Sequence, residues 1–236
     1  SDSIRDAAQA RFGWHWVNQE TPPRPVGITP FYSKVKLWCV PNVEAVRPVG
    51  PPAPNSPDFQ TAANELNDVL DNLTNDQRKI ANFWSDGLGT YTPPGHWNRF
   101  ACESIVKNRY NPLRAARVLA YLNMAMQDAG IACWDAKYYF HYPRPIQAMP
   151  GFKTILGTPN FPSYTSGHSM FSAAGAEVLS YIFPADAATF QNYSEEAALS
   201  RLYGGIHYRF DITDGNTSGK AVGQYTIDRM KVDGGE

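Results

Sequence analysis

The sequence predicts an all-α fold, a helical bundle preceded by a proline-rich N-terminal arm. Three observations carry that reading. Apolar residues recur at helical spacing from Asp58 onward, segments of alternating period are short or absent, and ten of the 19 prolines fall between residues 21 and 58. With 236 residues, 43% hydrophobic and 18% charged, the chain is long enough and apolar enough for one substantial core. A net charge of −1 offers no general attraction to nucleic acid or to an anionic membrane, so any anion site must be a local cluster. No uninterrupted apolar run has the length needed to span a bilayer.

The arm, residues 1–58, contains Pro22, Pro23, Pro25, Pro30, Pro41, Pro48, Pro51, Pro52, Pro54 and Pro57. That density forbids long helices and favours an extended segment. Phe31, Tyr32, Leu37 and Trp38 give it apolar side chains with which to pack on the helical domain, residues 59–236. Within that domain, Phe59, Ala62, Ala63, Leu66, Val69, Leu70 and Leu73 share one helical stripe. "TNDQ" at 74–77 is a capping-box pattern. Asn111 and Pro112 then mark the N-cap and first position of a run reaching Phe140, too apolar on all sides to be a surface helix. Further helices are expected at 167–183, 193–203 and 217–231, while "TPPGHW" at 92–97 reads as a turn before a helix with Trp97 in the core. His15 and His96 carry no signal. Cys102 and Cys133 read as small core residues; Cys39 has no evident partner, and the three show no metal-ligand spacing.

Three segments hold chemistry-bearing side chains. In "KYYFHYPRP", Lys137 and Arg144 stand seven apart among aromatics, a spacing that would place both on one side of a helix. Buried cations are costly unless an anion or hydrogen-bond partner meets them. In "NFPSYTSGHSM", Ser166-Gly167-His168 falls where a loop turns into an apolar helix, and the first N–H groups of a helix are free to bind an anion. In "SRLYGGIHYRFD", Arg201 adds a third cation, and Asp211 lies four residues beyond His207, where it could accept an Nδ1 proton and free Nε2. Each segment alone has an ordinary structural explanation. Together they are an inventory for a tetrahedral oxyanion: fixed cations, short donors and two histidines, one to attack and one to move a proton.

These motifs, K-x6-R-P from Lys137 to Pro145, P-S-x-x-S-G-H from Pro162 to His168 and S-R-x5-H-x3-D from Ser200 to Asp211, resemble the three-part signature of the superfamily that joins vanadium-dependent haloperoxidases and type 2 phosphatidic acid phosphatases. The likeness extends over roughly Phe83 to Val222, leans to the haloperoxidase branch, and does not reach the arm. It implies the helical bundle of the haloperoxidase/acid phosphatase type and a pocket for vanadate, or for phosphate in the same place. By resemblance, Lys137, Arg144, Ser166, Gly167 and Arg201 would bind the equatorial oxygens. His207 would bond the central atom through Nε2, oriented by Asp211, and His168 would face the apical oxygen as acid–base. Lys137 would polarise bound peroxide. Trp134 and Phe161 match aromatic positions beside the halide in chloroperoxidases, and His141, one turn beyond Lys137, could enter the same pocket.

The resemblance implies a vanadate-dependent haloperoxidase that oxidises halide with hydrogen peroxide, iodide or bromide before chloride. The alternatives are a soluble acid phosphatase acting through a phosphohistidine on His207, and a non-catalytic oxyanion-binding protein. Two features differ from the large haloperoxidases: Thr165 stands where a proline is common, and the stretch from Phe183 to Asn192 is short. Expected partners are small molecules (hydrogen peroxide and halide, or a phosphate ester) and no nucleic acid. The arm leaves room for a homo-oligomer, and the family's peroxide chemistry implies an extracytoplasmic, periplasmic or secreted, setting.

Overall fold

A computed structural model of the chain describes residues 2–22, 27–87 and 89–235. Pro23 and Pro25 of the arm lie outside the described residues, where every regular element is helical. Besides 3-10 turns at Tyr32–Lys34, Val43–Ala45 and Pro184–Asp186, these are in chain order α1 (Asp2–Phe12), α2 (Pro57–Asp71), α3 (Asn75–Phe83), α4 (Thr92–Lys107), α5 (Pro112–Phe140), the single turn α6 (Pro145–Ala148), α7 (Gly167–Ile182), α8 (Ala187–Tyr203) and α9 (Arg209–Val232). None is long and apolar enough to cross a membrane.

The starts follow the local chemistry. Thr74 and Gln77 form the reciprocal capping box of α3. Asn111 accepts the Arg114 N–H at the head of α5, with Pro112 in the first helical position. Some expectations need correction. "TPPGHW" opens α4 and does not precede it, since its prolines sit in the first turn, where a missing N–H is harmless. The last two helices begin earlier than expected, at Ala187 and Arg209. Helix α1 ahead of the prolines, rich in Ala, Arg and Asp, has no apolar period to announce it. Cys102 is exposed, not core, whereas Cys133 is buried; all three cysteines are free.

Helix α5 is the axis. Its 29 residues carry a buried polar anchor, Asp128, whose carboxylate accepts the backbone N–H groups of Trp38 (2.8 Å), Cys39 (2.7 Å) and Val40 (3.0 Å). That nest fixes the arm along α5. Helices α7 and α9 pack closely through small residues. A Cβ on Gly219 would lie 2.8 Å from that of Ala173 and would strike the Met170 carbonyl, and one on Gly215 would lie 3.0 Å from the Ser166 carbonyl. Glycine at these two positions lets α9 run against the first turn of α7, the turn that carries Ser166, Gly167 and His168.

Candidate active site

Lys137 lies in the last turn of α5, but Arg144 does not continue that helix. His141 ends α5 in the left-handed region (φ 51°), and Arg144 stands extended between Pro143 and Pro145. The expectation that one helix face carries both cations is therefore corrected: a chain reversal brings them together. They meet over Phe161, whose ring centre is 4.9 Å from Lys137 Nζ and 5.0 Å from the Arg144 guanidinium carbon. Both are fully buried. Burial pulls the Lys137 ammonium down to about 7 and the Arg144 guanidinium down to about 10.

The ammonium of Lys137 donates all three of its protons to the loop before α7, at the carbonyls of Pro162 (2.9 Å), Ser163 (2.9 Å) and Thr165 (2.5 Å). The loop ends at Ser166, whose hydroxyl accepts the Ser169 N–H and whose own N–H donates to the Asp211 carbonyl. Gly167 follows as the first helical residue, with the unpaired N–H groups of the α7 terminus.

His207 and Asp211 form the third part. Nδ1 of His207 is 2.8 Å from Asp211 Oδ2, which also accepts the Ser163 hydroxyl (2.5 Å) and the Tyr208 N–H (3.2 Å). Arg144 Nη1 is 3.0 Å from His207 Nε2. A guanidinium can only donate, so Nε2 carries the lone pair and Nδ1 the proton. Burial, then the charges of Arg144 and Lys137, keep this imidazole well below its ordinary value. Burial pushes the Asp211 carboxyl up to about 6, against the pull of Ser163, Lys137 and Arg144. The result is a neutral imidazole with Nε2 turned toward the cations.

His168, on the first turn of α7, has a side chain 16% exposed, and its Nε2 lies 3.7 Å from Asp86 Oδ2. Burial and then Arg201 hold it well below its usual value, while a backbone hydrogen bond at Trp84 acts the other way. Arg201 is buried in α8; its Nη2 donates to the Trp84 carbonyl (2.5 Å) and its Nε to the Ser200 hydroxyl (2.9 Å). Burial lowers Arg201 to about 9, and Asp86 opposes the shift. Asp86 itself is bonded to His96. Sequence reasoning missed both residues. Ten positions apart, one in a loop and one in α4, they show no motif; only folding joins them.

Trp134 and Phe161 form an aromatic wall with ring centres 5.1 Å apart, and Trp134 donates its indole N–H to the arm at the Ile28 carbonyl. His141 turns to the arm instead: its Nδ1 accepts the Trp16 N–H (3.0 Å), and its ring faces Trp16 and Tyr138. The buried polar atoms with no hydrogen-bond partner among the described residues include Arg144 Nη2 and His168 Nε2 beside the cation cluster. Together with the Nε2 lone pair of His207, they fit an oxyanion with a central atom open to one nitrogen ligand.

The profile of the PAP2 superfamily matches residues 117–229, which hold all three motifs. That match covers just under half of the chain. Over 112 aligned positions it is 28% identical to the vanadium chloroperoxidase of Curvularia inaequalis, covering 35% of this chain and 18% of that protein. The fold superposes on a bacterial vanadium-dependent iodoperoxidase with a TM-score of 0.83 and 28% identity, over 96% of this chain and 64% of the other. A bacterial vanadium-dependent chloroperoxidase in its holo form gives a TM-score of 0.75 at 16% identity, over 87% of this chain and 55% of that one, a likeness of fold. The chain thus spans less than two thirds of each of these relatives. The PAP2 profile stops short of the arm, whereas the iodoperoxidase superposition covers nearly the whole chain.

Proposed function

We propose that the protein is a vanadate-dependent haloperoxidase that oxidises iodide or bromide with hydrogen peroxide. The observation that carries the reading is the neutral His207, its Nε2 lone pair set among three buried cations with Arg144 Nη2 unpartnered beside it. Vanadate held there supplies a Lewis acid that binds and activates hydrogen peroxide. Arg144, Arg201 and Lys137 would balance the charge of its oxygens, the Ser166 hydroxyl and Gly167 N–H would donate to them, and His207 Nε2 would ligate the metal. Asp211 keeps the Nδ1 proton in place so that Nε2 stays a ligand. His168 would carry the proton that enters or leaves the bound oxyanion. The Trp134–Phe161 wall keeps water from the halide's approach. Similarity to the iodoperoxidase across 96% of the chain supports the choice of halide. An extracytoplasmic setting, where peroxide and halide meet, belongs to the same proposal.

One observation favours a second reading, an acid phosphatase: Lys137 donates every proton to loop carbonyls and holds none toward peroxide. In that reaction His207 Nε2 forms a bond to phosphorus as the P–O ester bond breaks, and His168 gives its proton to the leaving alkoxide. Metal-stripped protein assayed with iodide or bromide and peroxide, before and after orthovanadate, separates the two. Vanadate-dependent oxidation that disappears in His207→Ala is expected. Silence toward both halides, with phosphate-monoester hydrolysis that vanadate inhibits, would sink the peroxidase reading.

A further inference from the structure

The site contains a second carboxylate–histidine arrangement that none of the three motifs includes. Asp86 follows α3 with its backbone in the left-handed region (φ 46°), a conformation that aspartate tolerates better than most residues and that turns its side chain inward. The carboxylate is 3% exposed. Its Oδ1 and Oδ2 lie 3.1 and 3.2 Å from His96 Nδ1, and Oδ2 lies 3.7 Å from His168 Nε2. His96 makes the only hydrogen bonds to this carboxylate among the described residues.

His96 cannot turn away from it. The ring is 2% exposed and packed among Trp84, Phe83, Phe100 and Tyr91, at centroid distances of 4.7, 5.0, 5.3 and 5.5 Å. Four aromatic faces fix the plane of the imidazole, so Nδ1 has one direction in which to donate. An apolar core needs no histidine at such a position, and burying a polar ring without a partner is unfavourable.

We propose that His96 is a positioning residue for His168, acting through Asp86. Its Nδ1–H holds the carboxylate against His168 Nε2, and the carboxylate stabilises the proton that His168 carries in each turnover. The titratable and charged groups facing His168 are Asp86, with His96 behind it, on one side and Arg201 and Lys137 on the other, with His207 across the site. Arg201 and Lys137 disfavour an imidazolium there, as would a charged His96; a neutral His96 donating to Asp86 leaves that carboxylate, at 3.7 Å, as the anion beside His168 among the described residues. The arrangement parallels Ser163–Asp211–His207, in which a hydroxyl and a backbone N–H hold the carboxylate that orients the other histidine. The inference rests on the reading of His168 as acid–base.

The test pairs His96→Phe, which keeps the aromatic packing and removes the donor, with His96→Asn, which keeps a donor near the Nδ1 position. In intact protein with orthophosphate present, histidine NMR follows the His168 ring as pH is varied. His96→Phe is expected to move the His168 titration to lower pH, and His96→Asn to restore most of it. In turnover, His96→Phe should lower kcat about 10- to 100-fold, the range of lost outer-shell partners, with KM within about twofold. A folded His96→Phe protein whose His168 titrates as in the wild type would overturn the proposal, as would a wild-type His168 that never protonates. If His96→Phe does not fold, Asp86→Asn serves: it leaves the aromatic packing intact and must displace His168 in the same direction, and no displacement rejects the proposal. The NMR readout needs no turnover, so a protein inactive toward both halide and phosphate ester would refute the functional reading while still deciding the role of His96.

Discussion

At the scale of single residues, the site depends on which nitrogen holds a proton. His207 is useful only with Nδ1 protonated and Nε2 bare, and Asp211 enforces that state from 2.8 Å. Asp211→Asn should therefore weaken orthovanadate or orthophosphate binding about 10- to 100-fold, the usual cost of losing an outer-shell carboxylate, with little change in fold. Calorimetric titration of the anion into both proteins measures this; equal affinities would mean that Asp211 does not control Nε2. The His207–Asp211 spacing was readable, because four residues at the start of a helix bring a carboxylate back to the preceding loop. Arg144 and Lys137 were readable as cations with a common target, but not as the ends of a reversal, since a helix stop before Pro143 does not say which way the chain turns next. Asp86 and His96 were not readable. Nothing in "SDGLGT" or "TPPGHW" indicates that the two segments touch.

At the scale of elements, the precision of the site comes from how closely α9 approaches α7. Gly215 and Gly219 face Ser166, Ser169 and Ala173 with no room for a methyl group, so the α7 terminus and Asp211 share one rigid unit. Gly219→Ala gains helix propensity of about 1 kcal/mol but must push α9 from the Met170 backbone, an overpacking cost of about 1–3 kcal/mol. We expect net destabilisation in urea titrations and a loss of activity larger than the stability loss explains, because the push separates Ser166 from Asp211. Unchanged stability would show that the contact relaxes freely. The helices themselves were legible wherever a cap or an apolar stripe marked them, as at Thr74, Asn111 and Ser166. Their close packing was not, because a glycine in a helix looks the same whether it meets a neighbour or solvent. The prolines marked a stretch without long helices, but its anchor was not legible: Asp128 sits in an apolar helix, and only the structure shows three backbone N–H groups from residues 38–40 converging on it.

At the scale of the molecule, the buried histidines link the site to global stability. His141 is held near 4 by burial, then by His15 nearby, and His168 and His207 lie well below their ordinary value. In the unfolded chain all three take up protons near 6.5. Below that pH the unfolded state binds more protons than the native one, so stability falls as pH falls. His141 alone accounts for about 3 kcal/mol between pH 6.5 and 4. Asp211 acts in the opposite sense. Raised to about 6, it binds a proton in the folded state before the unfolded carboxylate does, and this offsets His141 by a similar amount. The two nearly cancel; Asp214, half-buried and raised by that burial, adds to the Asp211 side, and the more deeply buried His168 and His207 outweigh it. The midpoint of urea unfolding should therefore drop as pH is lowered from about 6.5 to about 4, and orthophosphate should reduce that drop, because an anion between the two histidines favours their charged forms. A midpoint that stays level over this range would mean that the native histidines are already protonated. A drop unaffected by phosphate would place the anion away from His168 and His207, and with it the chemistry proposed for them.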